Sequence, residues 1–337
     1  MGGIQIGGRT VGGDAPCFII AEGGLNHNGD PVLAARLIAA AAECGADAIK
    51  FQTYTTEELF PPDHPDFTRF QKHRFPRETY LDLQRTAADH GIILLSTPFD
   101  EASADLLESL PVPAFKIGSG ELTHRAFLKY LASKGKPLIL STGMSTWDEV
   151  DHAVRAIEET GNSALVLLHC VSAYPCPLEE VNLRRLTALR ARYPFPAGFS
   201  DHTESDVAAV AAVALGACVI EKHFTLSRHL PGWDHFFSYD PEQMKRYVKA
   251  IRDTEKALGA SHKDITPSEK PIERIARRAI YARVPLKAGE SINIHNIIIR
   301  RPAGPLGASQ VDSILGRVLL HDLPAGTPLQ LSDFEPE

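Results

Sequence analysis

Two histidines stand at matching places in two apolar runs: His202 closes "AGFSDH" and His223 closes "CVIEKH". In an extended strand alternate residues share a face, so His202 lies on the face of Ser200 and His223 on that of Glu221. Two imidazoles at the ends of neighbouring strands could share a divalent cation, with water and substrate in the open positions. The competing reading is that each imidazole caps its strand by hydrogen bonding. Lys222, between Glu221 and His223, falls on the opposite face and reads as a bystander directed to structure or solvent.

Lys50 in "AIKFQT" and Lys116 in "AFKIGSGE" also interrupt apolar runs. An ammonium group is costly to bury without an anionic partner. With the hydroxyls of Thr97, Ser119 and Ser200, the two lysines could cradle a phosphate and a carboxylate. The alternative is structural pairing with Glu22 or Glu121. Glu22 sits in "AEGGLNHNG", where glycines permit close approach of backbone to ligand. Glu221 lies beside the histidines, and Asp234 lies in "PGWDHFF". Any of the three acids could orient a ligand, bind a hydroxyl or move a proton, and spacing does not choose among these roles. "NHNG" gives His27 no paired His or Cys. "GGLNHNG" and "GSGEL" lack the spacing of a dinucleotide fingerprint. The stretch 61–74 carries His64, Arg69, Lys72, His73 and Arg74; it reads as a solvated loop and a candidate mobile lid.

These residues need a scaffold that gathers strand ends. The runs "CFIIA", "DAIKFQ", "IILLST", "AFKIGS", "PLILST", "ALVLLHC", "AGFSD" and "CVIEKHF" alternate with helical patterns. Asp30, Pro31 and Gly45 punctuate the first helix as cap, first position and stop. Continuous apolar strands joined by helices imply parallel pairing with both faces covered. Eight such units predict an α/β fold, a (β/α)8 TIM barrel, with an open doubly wound sheet as the competitor. The barrel is favoured because polarity is gathered at the C-terminal ends of the strands, which a barrel brings to one mouth. The barrel domain is expected over 1–262, a polar linker over 263–276, and a small β-rich domain over 277–337. In that tail "LKAGESINIHNI" is echoed by "LPAGTPLQLSDF", which implies pseudo-twofold symmetry. A module of about 60 residues has a marginal core and is expected to dock on something larger.

A net charge of −7 disfavours a nucleic-acid surface. No apolar run approaches the ~20 residues of a membrane span, and no signal peptide is visible. The five cysteines, Cys17, Cys44, Cys170, Cys176 and Cys218, have no CxxC spacing. They read as reduced thiols of a cytoplasmic protein, with all but Cys176 in apolar surroundings.

The motifs "IIAEGGLNHNGD", "GADAIKFQT", "LSTPFD", "FKIGSGEL", "LSTGM", "FSDHT" and "IEKHFT" together resemble the sialic acid synthase family, with its legionaminate, pseudaminate and spore-coat polysaccharide relatives. The resemblance covers nearly the whole chain. The tail, with "RRPAGPLG" and "LGR", resembles the family's antifreeze-like (SAF) domain. The resemblance implies condensation of phosphoenolpyruvate with an N-acylated hexosamine such as N-acetylmannosamine, to a nine-carbon 2-keto acid with release of phosphate. It implies a divalent cation, most often Mn2+, with Mg2+ or Co2+ as alternatives, held by His202 and His223. Lys50, Thr97, Lys116, Ser119, Ser172, Tyr174 and Ser200 would surround phosphoenolpyruvate, with Ser172 where several members carry Asn. Glu22, Gln52, Glu221 and Asp234 would face the sugar or the metal-bound water, so that Glu22, Lys50, Lys116 and Glu221 are the expected catalytic groups. Arg301 would reach the partner's site in a domain-swapped homodimer. Trp233 stands where sialic acid synthases typically have Pro, a change on the sugar side. The alternatives are condensation on a phosphorylated sugar, which needs a second basic cluster, and a non-catalytic sugar-binding relative, which would have no need of both lysines and both histidines.

Overall fold

The computed structural model describes residues 2–335. Met1 and positions 336 and 337, which the sequence reading places in the barrel and the tail, lie outside the described residues. The chain divides after Gly259 into two compact units.

The first unit opens with a hairpin, β1 (Ile4–Ile6) and β2 (Arg9–Val11). The sequence reading passed over it. Its signal is "GG" between short alternating runs: Gly7 and Gly8 both have positive φ, as a two-residue hairpin turn requires. Eight parallel strands then close a barrel: β3 (Phe18–Gly24), β4 (Ala48–Thr53), β5 (Ile93–Pro98), β6 (Phe115–Ile117), β7 (Leu138–Ser141), β8 (Leu165–Cys170), β9 (Ala197–Asp201) and β10 (Val219–His223). β10 pairs with β3, which completes the ring. The (β/α)8 expectation is correct.

The helices on the outer face are α1 (Pro31–Glu43), α4 (Arg77–Asp89), α5 (Glu101–Glu108), α6 (Arg125–Ser133), α7 (Trp147–Glu158), α8 (Arg184–Arg192), α9 (Asp206–Ala214) and α10 (Pro241–Leu258), while the short α2 (Thr56–Leu59) and α3 (Phe67–His73) lie in the connection from β4 to α4. Their ends follow local chemistry. Asp30 accepts a hydrogen bond from Val32 N at 2.8 Å, with Pro31 in the first turn. Thr146 with Glu149, and Asp240 with Gln243, form capping boxes on α7 and α10.

Strand alternation sorts the barrel into two apolar layers. Ile19, Ala21, Ile49, Phe51 and Ile220 face the helices, while Phe18, Ile20, Ala48, Leu95 and Val219 fill the interior. Ile6 and Val11 of the hairpin join the interior cluster. One step further along the same inward faces the residues become Glu22, Lys50, Thr97, Lys116, Ser141, Ser200 and Glu221. The site is the polar layer on top of an apolar plug.

Two local expectations are corrected. The stretch 61–74 is not simply a solvated loop: it contains α3, Phe60 stacks on His64, and Arg69 lies over the Trp233 ring. The side chains there found partners that periodicity could not foresee. Cys176 is buried like Cys17, Cys44 and Cys170, Cys218 is half-buried, and all five are free thiols.

In the second unit, the expected linker contains a helix, α11 (Lys270–Ala276), with Pro271 in its first turn. Beyond it, regular strand among the described residues is limited to β11 (Ala279–Ala282) and β12 (Ile297–Arg300), paired antiparallel. Isolated bridges and short helical turns, including α12 (Val311–Ile314), replace the rest of the expected β structure. The internal repeat is real in three dimensions. Leu286 and Leu323 exchange both backbone hydrogen bonds. Ile292 N donates to Arg317 O at 2.9 Å, and Leu329 N donates to Ile280 O at 2.9 Å, the same bond seen from the other half. Gly289 and Gly326 turn the two halves with φ of 83° and 84°.

Candidate active site

Glu22, Lys50, Gln52, Thr97, Lys116, Ser119, Ser172, Tyr174, Ser200, His202, Glu221 and His223 line one cavity of ≈ 280 Å³ at the C-terminal mouth of the barrel. That is the end at which barrels of this kind assemble chemistry. The volume suits a small, highly charged molecule better than a large apolar one.

The charged groups form a closed set. Lys50 is ion-paired to Glu22, lies 3.7 Å from Glu221 and donates to Thr97 Oγ1 at 3.1 Å. Lys116 lies 3.5 Å from Glu221 and donates to Ser141 Oγ at 2.8 Å. Structural pairing of Lys50 with Glu22 is therefore present, whereas Glu121 pairs with His124 at 3.7 Å. Pairing does not exhaust the site. Among the described residues Glu22 Oε1, Glu221 Oε2 and His223 Nδ1 are buried without a hydrogen-bond partner. Such orphans are rare in folded proteins and point to a ligand.

The two carboxylates are driven apart. Burial raises the Glu22 carboxyl, and Lys50 offsets this only in part. Glu221 is just as buried, but Lys116, Lys50 and the Ser200 hydroxyl at 3.0 Å outweigh desolvation and hold it low. One acid is thus a fixed anion between two lysines, and the other can carry a proton near neutrality. Burial lowers Lys116, while Glu22 and Glu221 more than offset burial at Lys50.

His202 and His223 have ring centroids 5.5 Å apart. Burial lowers His202 to about 4 and pushes His223 well below its ordinary value, so both are neutral imidazoles. His202 Nδ1 donates to Val171 O at 2.6 Å, which leaves Nε2 with its lone pair. This donor set fits a divalent cation. Among the described residues no three or more His, Cys, Asp or Glu side chains converge as a metal cage, so further ligands would be substrate or water. Tyr174 lies across the His202 ring, with centroids 4.2 Å apart.

Asp234 approaches from the loop after β10, with Oδ2 3.9 Å from His223 Nδ1. A Cβ on Gly24 would come within 2.9 Å of that oxygen and 3.2 Å of Glu22 Oε1, and Gly24 has a φ of +50°. Glycine there lets Asp234, Glu22 and Gln52 meet. On the other side of the cavity, a Cβ on Gly143 would overlap Ser172 Oγ, Cys170 Sγ and Ser119 Oγ. Arg301 belongs to the second unit and is exposed. His27 is a buried core imidazole, accepting from Gly29 N at 3.0 Å and packed 4.2 Å from the Phe75 ring.

The sequence reading missed Ser141, Cys170, Met144 and Phe99, which also line the cavity. Ser141 was within reach: it follows inward-facing Ile139 by two, as Lys116 follows Ala114. Met144 and Phe99 come from loops, where no period applies. Lys222 is not directed to solvent. It is buried behind the wall, 3.3 Å from Asp201 and 4.3 Å from the Tyr239 ring centroid.

Residues 37–263 match the NeuB family and residues 277–335 the SAF domain. The chain is 42% identical to an N,N'-diacetyllegionaminic acid synthase of Legionella pneumophila, over 97% of each chain. It is 35% identical to the human N-acetylneuraminate-9-phosphate synthase, over 87% of this chain and 85% of the other. The crystal structure of N-acetylneuraminic acid synthetase from Leptospira borgpetersenii, in complex with citrate, aligns with a TM-score of 0.76 at 36% identity, covering 80% of this chain and 94% of that one. With its barrel, its polar mouth and its SAF tail, the chain belongs to the NeuB family of synthases.

Proposed function

We propose that the protein condenses phosphoenolpyruvate with the open-chain aldehyde of an N-acylated hexosamine, giving a nine-carbon 2-keto sugar acid and inorganic phosphate. The observation that carries this reading is the pair of buried lysines in a hydroxyl-lined mouth, set against two neutral imidazoles. The lysines stabilise the carboxylate and phosphate, and the Thr97, Ser119, Ser141 and Ser200 hydroxyls direct them. Ser172, where several members carry Asn, is a shorter side chain on the same cavity wall, and Tyr174 lines the cavity against His202.

His202 and His223 would hold a divalent cation, Mn2+ in the first instance, which when bound polarises the aldehyde oxygen. The methylene carbon of phosphoenolpyruvate attacks the aldehyde carbon, whose oxygen takes up a proton, and leaves an oxocarbenium-like centre at the former enol carbon. Water adds at the former enol carbon, and phosphate leaves by C–O cleavage. Glu22, raised by burial, is suited to move the water proton, while Glu221 stays ionised between Lys50 and Lys116. Gln52, Asp234 and Glu22 face the acceptor. An SAF tail that contributes Arg301 to the partner's acceptor site would make the active unit a domain-swapped homodimer. The protein is proposed to work in the cytoplasm, in keeping with its five free thiols; among the described residues no helix is long and apolar enough to cross a membrane.

A phosphorylated acceptor finds less support. Arg69 is engaged by Asp66 at 3.1 Å and Arg74 lies 3.9 Å from Glu57, so both arginines of the basic stretch 69–74 already have carboxylate partners. The test is phosphate release from phosphoenolpyruvate with Mn2+ and a panel of N-acylated amino sugars, free and phosphorylated. Release with a free sugar and a product of matching mass is expected. No release with any sugar would remove the synthase reading.

A further inference from the structure

We propose that Trp233, held by Arg69, is the platform that receives the acceptor's N-acyl group. This rests on the synthase reading and names the substituent that the site selects. Trp233 is 66% exposed, an unusual setting for one of only two tryptophans in the chain. It is nonetheless held. The Arg69 guanidinium lies over the ring at 4.6 Å from its centroid, and Asp66 fixes that guanidinium at 3.1 Å. At 66% exposure the ring keeps open surface beyond the part that the guanidinium covers.

The place of the ring matters as much as its exposure. Trp233 directly precedes Asp234, whose carboxylate meets Glu22 and Gln52 around Gly24 and approaches His223. Glu22, Gln52 and Asp234 can all hydrogen-bond hydroxyls. An aromatic face is a poor partner for a hydroxyl and a good one for a flat amide and its methyl group. Of the substituents on an amino sugar, the N-acyl group alone is both flat and apolar-tipped. A sugar with a free amine would bring a second cation toward Arg69 and leave the ring wet.

Trp147→Phe leaves Trp233 as the single indole, so its emission reports on the platform directly. The probes are the reduced alditols of N-acetylmannosamine and mannosamine, which lack the aldehyde and cannot react. The acetylated alditol is expected to shift Trp233 emission saturably, and the amine about tenfold more weakly. Trp233→Ala is expected to raise the acceptor's KM about tenfold with the KM of phosphoenolpyruvate unchanged, and Trp233→Phe is expected to keep most of the affinity. An active Trp233→Ala enzyme with an unchanged acceptor KM, or equal emission responses to both alditols, would overturn the platform while leaving the synthase reading intact. A wild-type enzyme that turns over no sugar would overturn both.

Discussion

At the scale of single residues, the site separates groups that look alike in sequence. Lys50 and Lys116 both interrupt apolar strands, yet Lys50 is locked to Glu22 whereas Lys116 faces Glu221 and Ser141. Lys116→Gln keeps the shape and a hydrogen bond to Ser141 but removes the charge. It is expected to lower kcat/KM for phosphoenolpyruvate about 100-fold or more with an unchanged circular-dichroism spectrum. His27 makes a different prediction. Burial lowers it to about 3, against about 6.5 in an unfolded chain. The folded state therefore binds fewer protons than the unfolded state between these values, and stability falls as pH drops from about 6.5 toward 3. His202, His223 and His169 are lowered by burial and act in the same direction. Replacing His27 with Asn, which can still accept from Gly29 N, is expected to flatten the acid limb of Tm against pH measured from pH 6.5 down to 4. An unchanged limb would mean that His27 takes no part. The buried state of His27 was not legible in "NHNG", because it depends on Phe75, distant in sequence.

At the scale of elements, much was legible. Alternation placed Glu221 with His223 and Ser200 with His202, and the structure puts all four in one cavity. Alternation also placed Lys222 on the opposite face but could not say what waits there. The answer comes from α10, which supplies Tyr247, and from the loop before it, which supplies Tyr239. Asp201 and Lys222 are register partners on β9 and β10, one residue before each histidine, and they pair behind the barrel wall. Asp201 also accepts from Tyr247 Oη and Thr203 N, both at 2.8 Å. The two strand ends that carry the imidazoles are therefore tied together from the back. Lys222→Met leaves the Asp201 carboxylate buried without its cation, and is expected to cost about 3–5 kcal/mol in urea denaturation. Asp201→Asn, which keeps a hydrogen-bonding oxygen, is expected to cost less. Equal, small losses in both variants would show that the pair bears little of the load.

At the scale of the whole molecule, the two units differ in how far the sequence foretold them. The barrel followed from one rule repeated eight times. The tail has a repeat but few regular strands, because its backbone bonds run between the two halves rather than along ladders. Its apolar cluster, which includes Ile280, Leu286, Ile292, Leu323 and Leu329, is small for a domain standing alone. The proposed swapped homodimer can be tested in solution. In the proposed homodimer, Lys116→Gln is expected to disable the mouth and Arg301→Ala the tail. If each tail completes its partner's site, a mixed dimer of the two variants has one site with an intact mouth and an intact tail. If each tail serves its own barrel, every site in the mixed dimer carries a defect. Co-refolding the variants in equal amounts yields half mixed dimers, each with one of two sites whole, so the swapped arrangement predicts recovery of about a quarter of wild-type turnover. Activity that never exceeds the average of the two separate variants would reject the swapped arrangement.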